Sequence, residues 1–332
     1  MARSRVADSV TVGGNVVAPG NSATLELKVA RLPTSGWSSL PVAVVNGKRS
    51  GPTIWLSGAV HGDEINGVSI IRQAISAISA DDLAGTVIAV PVVNIFGFVN
   101  ESRYLPDRRD LNRSFPGSKR GSLAAQLASL FMTEVVDRCE VGIDLHTASG
   151  HRINTPQIRC GIADRKTAFL GKAFGAPFVL DAKVRSGSLR EAATKRGKRV
   201  LVYEAGQVHR FDTEACRFGV AGVLRILEAL KMGNWGIGKP SIPVRTIRTS
   251  SWVRALKSGI ADIPVELGQA VKVGTPLATI SDAFGSKPTV IKARAAGWVI
   301  AKTQNPLVSR GDSLVHVAAQ KGATVRRPKK PA

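Results

Sequence analysis

Between about residues 23 and 220 the chain alternates two kinds of apolar pattern. "TLELKVARL" (24–32) and "PVAVVNG" (41–47) read as strands. "TIWLSGAV" (53–60), "TVIAVPVV" (86–93) and "VGIDLH" (141–146) are runs of the kind a sheet covered on both faces produces. Between them, "INGVSIIRQAISAISA" (65–80) places Ile65, Val68, Ile71, Ile75 and Ile78 at helical spacing. "GSLAAQLASLFMTEVV" (121–136) is a second helix, with Ser122 as N-cap and Leu123, Leu127, Leu130 and Phe131 on one face. "DRKTAFLGKAFG", "SLREAATKRG" and "EACRFGVAGVLRILEALKMG" also read as helices, with "RVLVYEAG" (199–206) a strand between the last two. Strands alternating with helices predict an α/β fold, a sheet flanked by helices on both faces.

After about Pro240 the helical period disappears. Short Val-, Ile- and Ala-rich pieces are cut by Gly, Pro and Asp, which predicts a small all-β unit. The Gly- and Pro-rich "NWGIGKPSIPVRT" is the natural boundary. The expected organisation is an N-terminal extension (1–22), an α/β domain (23–238), a small β domain (239–320) and a basic, disordered tail (321–332).

Composition narrows the partners. No apolar run is long enough to cross a bilayer, and the two early arginines are not followed by the apolar segment of a signal peptide. Three scattered cysteines, Cys139, Cys160 and Cys216, fit a reduced, cytoplasmic chain. The 46 basic and 24 acidic residues leave a net charge of +22, which raises a polyanion partner. The basic residues are dispersed apart from the tail, so nucleic acid is not expected as the primary partner. The positive field suits a small anionic substrate instead.

Three of the strands end in chemically active groups. The first runs into His61, with Glu64 three positions on; "GIDLH" ends at His146; "VLVYEAG" ends with Glu204. Ligand sites of open α/β sheets gather beyond the carboxyl ends of the strands. If these strands are parallel neighbours, the four side chains converge on one rim. Two imidazoles and a carboxylate suit a catalytic zinc with a fourth position open for water. Asp144, two residues before His146, is a candidate acceptor for its ring. Asp63 is expected to face away from Glu64, and His151, His209 and His316 are read as surface or supporting residues. The polar, Pro-broken segment 103–118 is a long loop of the kind that carries function, offering Arg103, Arg108, Arg109, Asn112 and Arg113. Arginine grips carboxylates with paired hydrogen bonds.

Taken together and in this order, "HGDE" (61–64), "DLNRSFPG" (110–117), "DLHT" (144–147) and "YEAG" (203–206) resemble the succinylglutamate desuccinylase/aspartoacylase family of zinc carboxypeptidase-like hydrolases. "GQAVKVGTPLATI" and "AAGWVIAK…VSRGDSLVHV" resemble the half-repeats of a barrel-sandwich fold, without the lysine that carries biotin or lipoate in true biotinyl domains. The resemblance implies a mixed, largely parallel sheet flanked by helices, then a small barrel-sandwich-like β domain. It implies one zinc per subunit on His61, Glu64 and His146, with Glu204 as catalytic carboxylate. It implies that Asn112 and Arg113 hold the substrate's free carboxylate and that Arg103 polarises the scissile carbonyl, a role Arg108 or Arg109 could also take. The activity it implies is hydrolysis of the amide of a small, anionic N-acyl amino acid. Alternatives are a carboxypeptidase or amidase acting on peptides or cell-wall peptides, and a non-catalytic basic binding protein. The β domain is expected to border the cleft or to mediate contacts in a homo-oligomer.

Overall fold

The computed structural model describes residues 7–320 and Gly322. The basic tail expected over 321–332 therefore lies outside the described residues, Gly322 apart. The first elements are a hairpin of β1 (Val10–Val12) and β2 (Asn15–Val17), whose Val12 and Val17 are buried. The antiparallel pair β3 (Asn21–Arg31) and β4 (Trp37–Asn46) follows. Next come β5 (Arg49–Gly58), α1 (Asn66–Ser76), β6 (Ala84–Val90), the short α2 (Ile95–Val99) and α3 (Leu123–Glu134). The α/β half is completed by β7 (Val141–Ala148), β8 (Arg152–Cys160), α4 (Arg165–Phe174), β9 (Phe178–Asp181), α5 (Leu189–Lys195), β10 (Arg199–Gln207) and α6 (Thr213–Ala229).

The helices start where capping chemistry permits. Ser122 accepts a hydrogen bond from the Ala125 N–H at 3.3 Å, as its sequence position predicts. Asp164, Ser188 and Asp212 cap α4, α5 and α6 in the same way. Helix α1 has no side-chain cap. Its buried face is Asn66, Gly67, Ile70, Ile71 and Ala74 rather than the stripe through Val68 and Ile75, which are only half-buried. The reason is close approach. A Cβ on Gly67 would lie 2.9 Å from the Leu145 carbonyl oxygen and 3.0 Å from the Gly58 Cα, so the helix turns its glycine to the sheet.

The central strands stand in the order β10, β7, β5, β6 and run parallel. Antiparallel β4 and β3 extend one side, and antiparallel β8 the other. The sheet is mixed, with a parallel centre, and helices cover both faces. One apolar layer joins it to α1, α4 and α6 through Ile70, Phe174 and Leu227; the other joins it to α3 and α5 through Leu127, Phe131 and Leu189. Each such side chain contributes about 1.5–3 kcal/mol by burial.

The C-terminal strands are β11 (Arg245–Ile247), β12 (Ser250–Arg254), β13 (Gly259–Asp262), β14 (Ala270–Val271), β15 (Pro276–Ser281), β16 (Thr289–Lys292), β17 (Gly297–Thr303), β18 (Leu307–Val308) and β19 (Ser313–Ala319). One group forms the four-stranded sheet β16-β15-β13-β18. Strands β12, β19 and β17 face it across a core of Val253, Leu277, Ile280, Val299 and Val315, a sandwich. They also continue the main sheet, because β17 pairs with β8 at Ala301–Asn154 and Thr303–Arg152. The three cysteines are buried and unpaired. No described helix is long and apolar enough to cross a membrane.

Candidate metal centre

The chain leaves β5 through a tight turn. Ala59 has a φ of 44°, and the Glu64 N–H donates to the His61 carbonyl at 3.1 Å. Gly62 fits there because a Cβ would come within 1.9 Å of the Gly97 backbone. The turn brings His61 and Glu64 to one side. From the adjacent β7, His146 projects at the same rim, and on the next strand Glu204 is the register partner of His146. Parallel neighbouring strands do bring these four residues to one edge.

His61, Glu64 and His146 are 4%, 1% and 5% exposed, and each offers a ligand atom within 4.8 Å of the others. His61 Nδ1 lies 2.7 Å from Glu64 Oε1, and His146 Nδ1 lies 2.8 Å from Glu64 Oε2. The far ring nitrogens are held as well. His146 Nε2 is 2.8 Å from Asp144, which also accepts from Ser57, and His61 Nε2 is 3.2 Å from Asp110. A carboxylate behind each imidazole fixes its tautomer and raises its basicity, the support that metal-binding histidines receive. Two imidazoles and one carboxylate, buried and so oriented, fit a divalent metal ion.

The charges are tightly coupled. Burial alone would lower the His146 pKa, but Asp144 and Glu64 outweigh it and hold the imidazole well above its ordinary value. His61 follows the same logic: burial lowers it, and Glu64 and Asp110 bring it above its ordinary value. Burial would raise Glu64, yet the two imidazoles hold it well below the ordinary carboxylate value. Asp63 is raised, first by burial and then by Glu64, and one of its oxygens is buried without a partner.

Of the loop arginines, Arg103 reaches the centre. It donates to Glu64 at 3.2 Å and to Asp110 at 2.9 Å. Arg108 and Arg109 are exposed, and Arg109 pairs with Asp107 at 3.5 Å. Asn112 accepts from the Leu189 N–H at 2.9 Å and so ties the loop to the start of α5. Arg113 is exposed, and its backbone packs against Gly187, where a Cβ would lie 2.5 Å from the Arg113 carbonyl oxygen. A cleft of about 690 Å³ opens beside the centre. Asp63, Arg103 and Tyr104 line one side, and Thr303, Asn305 and Leu307 of the C-terminal unit line the other.

Sequence reasoning missed several contributors. Asp110 opens the "DLNR" stretch, but its grip on His61 depends on how the loop folds back. Asn154 donates to Glu204 at 2.7 Å, and Arg159 pairs with it at 3.0 Å; both lie on β8, which carries no clear strand pattern. Arg185 is pulled below its ordinary pKa by burial and by the nearby Arg113 and Arg159. His151 and His209 are exposed, whereas His316 is buried and stacked on Trp252 with ring centroids 4.7 Å apart. It belongs to the C-terminal core rather than to the surface, and burial with the nearby Arg159 pushes it down to about 3.

The sequence model of the succinylglutamate desuccinylase/aspartoacylase catalytic domain matches residues 50–230. An N-alpha-acetyl-L-2,4-diaminobutyric acid deacetylase from Halomonas elongata is 28% identical over 298 residues, which span 86% of this chain and 87% of that protein. A succinylglutamate desuccinylase/aspartoacylase from Rhodobacter sphaeroides superposes with a TM-score of 0.81 at 27% identity, over 91% of this chain and 96% of that one. The product-bound ectoine utilization protein EutE (DoeB) from Ruegeria pomeroyi gives 0.81 at 26% identity, over 90% and 95%. With more than half of the chain matched by that catalytic-domain model, the chain belongs to the succinylglutamate desuccinylase/aspartoacylase family.

Proposed function

We propose that the chain is a zinc-dependent hydrolase that cleaves the amide bond of a small N-acyl amino acid. The observation that carries this reading is the buried trio His61, Glu64 and His146, with Glu204 at the register of His146 on the next strand. Zinc held by the trio would polarise the scissile carbonyl and acidify the attacking water toward a pKa of about 7. Glu204 accepts the proton of that water and returns it to the leaving amine. Arg103, braced by Asp110 and bordering the cleft, donates to the oxyanion that develops on the carbonyl. Arg113 and Asn112 hold the free carboxylate of the amino acid. The deacetylase relative supports an N-acyl amino acid substrate. Thr303, Asn305 and Leu307 of the C-terminal unit border the same cleft.

The test is release of free amine from a panel of N-acyl amino acids and short peptides, with and without chelator. Amine from the N-acyl amino acids, abolished by chelator and restored by zinc, is expected. Cleavage of peptides alone would favour the peptidase alternative, and no cleavage at all would leave a binding protein. Glu204→Gln is expected to keep zinc and lose activity by about 100-fold or more; full activity in that variant refutes the proton-transfer role.

A further inference from the structure

Glu204 has both carboxylate oxygens engaged from one neighbouring strand. Arg159 Nη1 lies 3.0 Å from Oε1, and Asn154 Nδ2 donates to Oε2 at 2.7 Å. On a regular strand, residues five apart face opposite sides of the sheet and cannot meet one side chain. The β8–β10 pairing is not regular. Its register shifts between Glu204 and Gly206, and Pro156 lies in β8 between the two partners. An irregularity of this kind re-aims side chains, and it lets Asn154 and Arg159 close on one carboxylate. Asn154 is fixed from its other side too, since it pairs with Ala301 on β17.

The surroundings give the clamp its sign. Arg159 touches Glu204, and Arg185 and Arg190 also lie close enough to feel its charge. On the far side stands His146, its register partner. The Arg159 and Glu204 side chains are 24% and 15% exposed, so the charge-assisted bonds are only partly screened. Without them the three-bond glutamate side chain would sample several rotamers, and only some would face an attacking water.

We infer that Arg159 and Asn154 are positioning residues that hold the Glu204 carboxylate in one orientation for proton transfer. This rests on the reading of Glu204 as the proton acceptor. Through the pairing of Asn154 with Ala301, it also gives the C-terminal unit a part in setting the geometry of that group.

The test uses the zinc-loaded full chain and the N-acyl amino acid it cleaves best. Arg159→Met is expected to lower kcat by about 100-fold, the scale of a displaced catalytic group, with KM changed by less than about two-fold. Arg159→Lys keeps the charge but not the planar guanidinium, so kcat should recover only in part. Asn154→Ala should lower kcat with zinc content and melting temperature unchanged. A wild-type kcat in Arg159→Met overturns the inference. A raised KM with unchanged kcat does so too, because it would make Arg159 a substrate contact. If Arg159→Met fails to fold, Arg159→Lys and Asn154→Ala decide: wild-type kcat in both rejects the clamp. An active Glu204→Gln enzyme sinks the earlier reading, whereas an inactive one beside a normal Arg159→Met enzyme sinks only this inference.

Discussion

At the residue scale, each imidazole of the centre is held between two carboxylates. Glu64 spans both Nδ1 atoms, while Asp110 and Asp144 sit behind the Nε2 atoms. Such supports set ligand orientation and basicity, and removing one weakens metal binding by about 10- to 100-fold. Asp144→Asn is therefore expected to raise the zinc dissociation constant by that factor in a competition titration against a chromophoric chelator; an unchanged constant would show Asp144 to be passive. The same contacts govern pH. In the metal-free protein both imidazoles are held above their ordinary value, which favours their protonated forms. A metal ion needs them neutral, so binding must release protons. Zinc affinity should rise as pH climbs through and beyond the ordinary imidazole value of about 6.5. Calorimetry in buffers of different ionisation heat measures the release, and a pH-independent affinity without it contradicts this picture. His61, Glu64 and His146 were legible in the sequence because each follows a buried apolar run. Asp110 was not, because nothing local marks how a 16-residue polar loop folds back on a histidine.

At the element scale, the site depends on how closely α1 approaches the sheet. Gly67 faces Gly58 and the Leu145 carbonyl, and this contact seats the turn that carries His61 and Glu64. Gly67→Ala must push the helix or β7 aside, and overpacking of this kind costs about 1–3 kcal/mol. Urea unfolding should show the loss, and an unchanged midpoint would mean that the contact is slack. The buried strands β5, β6 and β7 and the capped helices could be read from the sequence, since strong apolar periods and Ser or Asp caps are local signals. Strand β8 could not. "RINTPQIRC" is polar and broken by Pro156, because the side chains Asn154 and Arg159 serve Glu204 instead of a core. The rotated face of α1 was hidden for a related reason: glycine contacts add no apolar residue to the helical pattern.

At the scale of the whole molecule, the β unit after residue 245 is not a free appendage. Its strand β17 covers the edge of β8, and its loops wall the cleft. The change of texture near Pro240 marked the unit, but a pairing between residues 154 and 301 leaves no trace in either segment. Deleting the chain after about residue 245 would expose the β8 edge at residues 152–154, and a bare edge invites aggregation. The truncated protein is expected to lose turnover and to melt earlier than the full chain. Full activity with an unaltered melting temperature would show that the catalytic half stands alone. The +22 charge acts at this scale too, as a field that favours the approach of anionic substrates.

The central claim is that His61, Glu64 and His146 together hold one zinc ion. The most direct check is elemental analysis after the metal-stripped protein has been dialysed against zinc and then against zinc-free buffer. The account predicts close to one zinc per chain, and almost none in His146→Ala prepared in parallel. A wild-type protein that returns from dialysis empty, or a variant that retains a full equivalent, would contradict it.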